Sequence, residues 1–344
     1  MWKCKNGFLL VQYTFRLILR RLKFLAFSLI PAIVLLALFL GAAALHWRYR
    51  ERQVREQTPA LDSACANGYR QTTGGCWSVG QPRPTRIMLL GGSTTFGWRL
   101  ESDDDTWASI LQKMLCETIP DKHPLVRNFG MCADDFDAEI GRLESEISRK
   151  ENLPDIVVFF NGFNEIAGTL DNARTARRGG FSSHFLGELA TALRSVAVRT
   201  RFDFLGNPEN RIPDRAISAQ ARAIAEDYQR DIFRAEEICS TCGIRLLIFL
   251  QPTVLTLAPL TGRPEISFVA GLGPLPRLNH AAYSLFRETL ATARSAGVKA
   301  YDLSHVFDAD KKQAFMDVCH MNSHGNEIVA QAIYPHLLDS IVGE

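Results

Sequence analysis

Five short strand-like runs, separated by longer stretches of helical character, constrain this chain more than any other feature. The runs lie at 87–90, 126–129, 156–160, 246–250 and 298–303, and the first, third and fourth are apolar at every position. A strand with no polar face is buried on both sides, which marks a parallel sheet rather than a solvent-facing antiparallel one. The stretches at 106–117, 135–149, 217–239 and 280–296, with 327–341 closing the chain, read as helices. Alternation of such strands with helices dictates an α/β architecture, a parallel sheet flanked by helices on each face. A chain of 344 residues at 47% hydrophobic composition can bury the core of one such domain and carry an appendage besides.

Open sheets of this kind keep their working residues at the carboxyl ends of the strands. The first run stops at Gly91-Gly92-Ser93-Thr94-Thr95-Phe96-Gly97, the second at Asn128-Phe129-Gly130, and the third at Asn161-Gly162-Phe163-Asn164-Glu165. Far downstream stands Asp317-Val318-Cys319-His320. Together these supply a serine nucleophile, a histidine base, an aspartate placed to hold the histidine Nδ1–H, and donors for an oxyanion. A Gly-Gly-Ser turn at a helix start also suits phosphate. However, neither the Walker pattern nor Gly-x-Gly-x-x-Gly occurs, and Thr95 stands where a Gly-x-Ser-x-Gly elbow would have its second glycine. His324 lacks an acid at the spacing that Asp317 has to His320, and His305 reads as structural. Asn128 and Glu165 read as supports that hold their turns, while Trp98 and Arg99 follow the nucleophile closely enough to contact substrate or to pack. Cys239 and Cys242 have no second Cys/His pair at zinc spacing, so no metal constellation is expected.

With these four segments in this order, the chain from Arg86 onward resembles the SGNH hydrolases, the GDSL-type esterases and lipases, whose signature blocks are named for Ser, Gly, Asn and His. It looks closest to membrane-anchored bacterial members with a Gly-Gly-Ser-Thr-Thr-Phe-Gly block. The resemblance implies a flavodoxin-like three-layer fold, with Ser93 as nucleophile, His320 as general base and Asp317 as its orienter. It implies an oxyanion hole built from the backbone N–H groups of Ser93 and Gly130 and the side chain of Asn164. The activity it implies is a serine esterase, with no cofactor, acting on short acyl esters, O-acetyl above all, of an envelope or secreted carbohydrate. The same Ser-His-Asp site would serve an O-acyltransferase acting on a polysaccharide, and a non-catalytic envelope assembly module is the reading from another class. Two departures from the family pattern stand out: Gly-Gly-Ser in place of Gly-Asp-Ser, and Asn-Glu in place of Asn-Asp.

The distribution of charge says more than its net of +2. Residues 1–23 carry lysines and arginines and no acid, and 24–45 carry no charged side chain. About 22 residues at about 1.5 Å each span a bilayer core of about 30 Å. The run exceeds the roughly 7–15 apolar residues of a secretory signal. An uncleaved single-pass anchor is therefore expected at 24–45, with a basic cytoplasmic tail at 1–23 and the rest outside the cytoplasm, at a bacterial inner membrane. Topology accounts for the basic tail, so no nucleic-acid partner is expected. A connector follows at 46–84, and the domain at 85–344 carries an arginine- and phenylalanine-bearing insertion at about 166–215, either a roof over the site or a solvated surface excursion. Those arginines suit anionic sugars better than long acyl chains. The cysteines beyond the expected anchor are odd in number, so at least one is unpaired. Cys65–Cys76 is the expected disulfide, and Cys239 and Cys242 form either a short disulfide or two thiols. Nothing in the sequence sets the oligomeric state.

Overall fold

The structure, a computed structural model, describes residues 70–150, 152–170, 213–269 and 272–343. The expected anchor at 24–45, the basic tail, the connector as far as 69 and most of the expected insertion lie outside these residues. Among the described residues, no helix is long and apolar enough to cross a membrane.

Five strands form one sheet in which every pairing is parallel. They are β1 (Thr85–Gly91), β2 (Pro124–Asn128), β3 (Ile156–Asn161), β4 (Arg245–Leu250) and β5 (Ala300–Asp302), in the spatial order β2-β1-β3-β4-β5. Each expected run is one of these strands. Leu89 lies opposite both Asn128 and Val158, so the carboxyl ends of β2, β1 and β3 come nearly level. That register gathers the three sequence turns at one edge of the sheet.

Seven helices occur among the described residues: α1 (Ser93–Phe96), α2 (Trp107–Thr118), α3 (Phe136–Ser148), α4 (Phe163–Leu170), α5 (Asp214–Thr241), α6 (Leu275–Ser295) and α7 (Ser323–Val342). Local chemistry sets where three of them start. The side chains of Thr106, Asp135 and Asn322 accept from the backbone N–H groups of Ser109, Ala138 and Gly325, capping α2, α3 and α7. The alternation of β1 then sorts the helices into layers. Met88 and Leu90 pack with Phe136 of α3, Tyr228 of α5 and Phe286 of α6. Ile87 and Leu89 pack on the other face with Trp107 of α2 and Ile333 of α7. Each fully buried side chain of this size contributes about 1.5–3 kcal/mol, and β3 is buried at all its positions.

The end of the expected connector is fastened to the domain. Arg70 forms an antiparallel bridge to Asn128, and the Thr73 N–H donates to Ser109 Oγ of α2 at 3.0 Å. The expected Cys65–Cys76 disulfide is corrected: Cys76 is bonded to Cys116 of α2. A connector laid along α2 brings Cys76 beside that helix, a proximity that spacing along the chain does not reveal. Cys132 is also disulfide-bonded, whereas Cys239, Cys242 and Cys319 are free thiols.

Candidate active site

The chain turns from β1 directly into α1, so Ser93 opens a helix at the carboxyl edge of the sheet. Gly92 makes that turn compatible with its neighbours. A Cβ built there would lie 2.2 Å from Asn164 Nδ2 and 3.2 Å from the Asp134 carbonyl. Glycine at the second position of the Gly-Gly-Ser block thus lets the Asn164 amide close over the backbone beside the serine.

His320 reaches the serine from the segment just before α7. Its Nε2 lies 2.7 Å from Ser93 Oγ, and its Nδ1 lies 2.7 Å from Asp317 Oδ2 and 2.9 Å from Oδ1. The same carboxylate accepts the backbone N–H groups of His320 at 2.8 Å and Cys319 at 3.0 Å. Burial by itself would raise the Asp317 pKa. The hydrogen bond and charge of His320, with these two backbone donors, outweigh it and hold the carboxyl below its usual range. An ionised Asp317 fixes Nδ1 as a donor and leaves Nε2 facing the serine. Trp98 packs against the imidazole with ring centroids 4.4 Å apart. The rival histidines sit elsewhere: His324 pairs with Asp310, and His305 with Asp308.

The expected oxyanion donors separate into two groups. Among the described residues the Ser93 N–H makes no hydrogen bond, and Asn164 Nδ2 lies beside Gly92 while donating to the Asp134 carbonyl at 2.6 Å. Gly130 differs from expectation, because its N–H is committed to Asn128 Oδ1 at 2.9 Å. Its glycine identity has another cause: a Cβ there would meet Phe96 N at 2.3 Å, in the body of α1. Asn128 completes the brace by donating from Nδ2 to the Thr95 carbonyl at 2.8 Å.

Sequence reasoning passed over Ala133. It occupies the turn Met131–Asp134, closed by a bond from the Asp134 N–H to the Met131 carbonyl, and its φ is +65°. An alanine in the left-handed region costs about 1–2 kcal/mol, and such strain gathers at functional sites. Its N–H makes no hydrogen bond among the described residues, and the next residue supplies the carbonyl that holds Asn164. Nothing in the residue type signals this conformation.

Behind the donors lies a buried acid network. Glu165 accepts the Phe136 N–H on Oε1 and the Gly162 N–H on Oε2, each at 2.9 Å, and so ties the second turn to the third. Glu139, fully buried, accepts from Asn161 Nδ2, and Tyr228 donates to Asn161 Oδ1. Burial, followed by the nearby charge of Glu165, raises the Glu139 pKa well above its usual value.

Asp317, Cys319 and His320 are close enough to be tested as a metal site, but their chemistry does not fit. Cys319 is buried, and His320 Nε2 is taken up by Ser93 Oγ. Asp317 and His320 are moreover engaged with each other.

No family model and no curated relative matches the chain. Solved structures do. One is the acetyl xylan esterase AlAXEase, at 16% identity and a TM-score of 0.44, covering 73% of this chain and 98% of that one. Another is the acetylxylan esterase Axe2 from Geobacillus stearothermophilus, at 12% identity and a TM-score of 0.41, covering 75% and 95%. A third is a GDSL-like lipase from Bacteroides thetaiotaomicron, at 12% identity and a TM-score of 0.41, covering 74% and 89%. The chain is similar at low identity to acetyl xylan esterases and to a GDSL-like lipase.

Proposed function

We propose that this protein is a serine esterase of the SGNH type that removes short acyl groups, O-acetyl above all, from an envelope or secreted carbohydrate. The observation that carries the reading is the continuous line from Asp317 Oδ2 through His320 to Ser93 Oγ, with 2.7 Å at each end of the imidazole. Ser93 Oγ attacks the ester carbonyl carbon while His320 Nε2 takes its proton. The resulting imidazolium is stabilised by Asp317, and the oxyanion meets the Ser93 N–H, the Asn164 amide and the Ala133 N–H. Ala133 takes the place first expected of Gly130. As the C–O bond breaks, His320 returns the proton to the leaving alcohol. Water then enters with its proton going to Nε2, and the acyl-enzyme is cleaved by the same sequence of transfers.

The setting supports a location outside the cytoplasm. Cys76–Cys116 is a cross-link of the kind that persists in oxidising compartments, in keeping with an anchor at 24–45 and a domain beyond the bacterial inner membrane. The test is hydrolysis by the full-length protein of p-nitrophenyl acetate, longer esters and acetylated polysaccharide, with and without sugar acceptors. Ser93→Ala is expected to reduce turnover by at least about 10⁴-fold. His320→Ala should be comparably severe, whereas His324→Ala retains activity. Turnover surviving in Ser93→Ala would refute the assignment, and acetyl groups appearing on the acceptor would make the enzyme a transferase.

A further inference from the structure

The segment after α1 carries a feature that the catalytic steps leave unused. Gly97 and Arg99 both have left-handed backbone, with φ of +80° and +67°. For a glycine this is free. For an arginine it costs about 1–2 kcal/mol and persists only where the surroundings enforce it. Here they do so through Arg70, whose guanidinium donates to the Gly97 carbonyl from Nη1 and to the Leu100 carbonyl from Nη2, the latter at 2.9 Å. Arg70 is in turn neutralised by Asp103 at 2.6 Å, and its side chain is only 9% exposed. The two residues between those carbonyls, Trp98 and Arg99, are thereby clasped from below.

The clasp sets a cation beside the Asp317–His320 pair. The Arg99 guanidinium lies 4.1 Å from the Trp98 ring centroid, and Trp98 packs on the His320 ring. Arg99 Nη1 stands 4.0 Å from Asp317 Oδ2, outside hydrogen-bonding distance. Asp317 has no need of it, since its oxygens already accept from the His320 ring, the His320 N–H and the Cys319 N–H. Among the described residues the guanidinium of Arg99 makes no hydrogen bond, and its side chain is 48% exposed. A planar fork of N–H donors, stacked on an aromatic ring and joined to Asp317 only by a long ion pair with no hydrogen bond, is suited to a carboxylate or phosphate.

The side of the site that it occupies identifies the part of the substrate concerned. In the esterase reading His320 protonates the leaving alcohol, Trp98 packs on the His320 ring, and Arg99 stacks on Trp98 beside Asp317. Resting on the esterase reading above, we propose that Trp98 and Arg99 form a leaving-group subsite in which Arg99 binds an anionic group, carboxylate or phosphate, carried by the alcohol portion of the ester.

The experiment compares wild type, Arg99→Gln and Arg99→Lys, each as the full-length chain. Gln and Lys meet the same backbone cost at this φ, so the variants differ in charge and donor geometry, and matched thermal melts check the fold. Three substrates are used: O-acetylated polyuronate, an O-acetylated polyol phosphate polymer and neutral acetylated xylan. In wild type, kcat/KM for one anionic substrate exceeds that for xylan, and the winning arm identifies carboxylate or phosphate. Arg99→Gln lowers that ratio by about tenfold, mainly through KM, and Arg99→Lys restores part of it. A ratio that stays constant across the three proteins overturns the subsite while leaving the esterase reading intact. Loss of all ester hydrolysis in wild type would instead strike the esterase reading. The subsite is then read by calorimetric binding of deacylated polyuronate and polyol phosphate. Equal affinity for wild type and Arg99→Gln, or binding to neither, refutes it.

Discussion

Gly92 shows how much of this site depends on the absence of one carbon atom. Asn164 Nδ2 occupies the space where a Cβ would stand, and it is the end of a side chain held there by its bond to the Asp134 carbonyl, which a methyl group would break in pushing it aside. Gly92→Ala should therefore cost about the 0.5–1.5 kcal/mol of that one hydrogen bond in stability while displacing the donor, lowering kcat by about 10²-fold with little change in KM. Unaltered kcat would show that the Asn164 amide does not act from this position. Residues also mark the limits of reading a sequence. Asp317 and His320 were legible because their relation is local, an acid three positions before a base. Gly130 was misleading because a glycine required for close approach to Phe96 looks the same in sequence as one required for an exposed N–H. Ala133 was silent, since its conformation is imposed by the turn around it and not by its side chain.

Among the elements, the strands were plain in the sequence because apolar residues on both faces admit few other arrangements. Helix starts were nearly as plain where Thr106 and Asp135 cap them, whereas α7 begins under its Asn322 cap at Ser323, ahead of the expected start at 327. The buried polar layer between α3 and β3 was not, because burial of Glu139 is a property of what α5 lays over it. Its pKa is raised, so the folded protein keeps it protonated where the unfolded chain ionises it. Stability from this group is fully present below the ordinary carboxylate value of 4.5. It declines as pH rises from there to the raised folded value, and stays flat beyond. Glu139→Gln, the uncharged isostere, should remove that slope and raise the melting temperature at neutral pH relative to wild type. Melting curves taken across the pH range check this; a slope that persists in the variant would place its origin in another group.

On the scale of the whole molecule, the domain begins earlier than its sheet does. Cys76–Cys116 closes a loop of sequence separation 40, which in the chain-entropy account stabilises by about 4 kcal/mol. Cys116→Ser should lower thermal stability markedly under oxidising conditions and make the protein insensitive to reduction at this bond. If wild type and variant melted together in the absence of reductant, the cross-link would not be holding the connector to the domain. The pairing could not be read from spacing, because it depends on where the connector lies once α2 exists.

A tether delivers force where it is fastened. Arg70 is fastened twice, by its guanidinium to the Gly97 and Leu100 carbonyls and by its backbone bridge to Asn128 at the end of β2. Load on Arg70 therefore reaches both the wall that Trp98 and Arg99 form and, through Asn128, the Thr95 carbonyl beside Ser93. A pull on the chain at this one residue would be felt on two sides of the site at once.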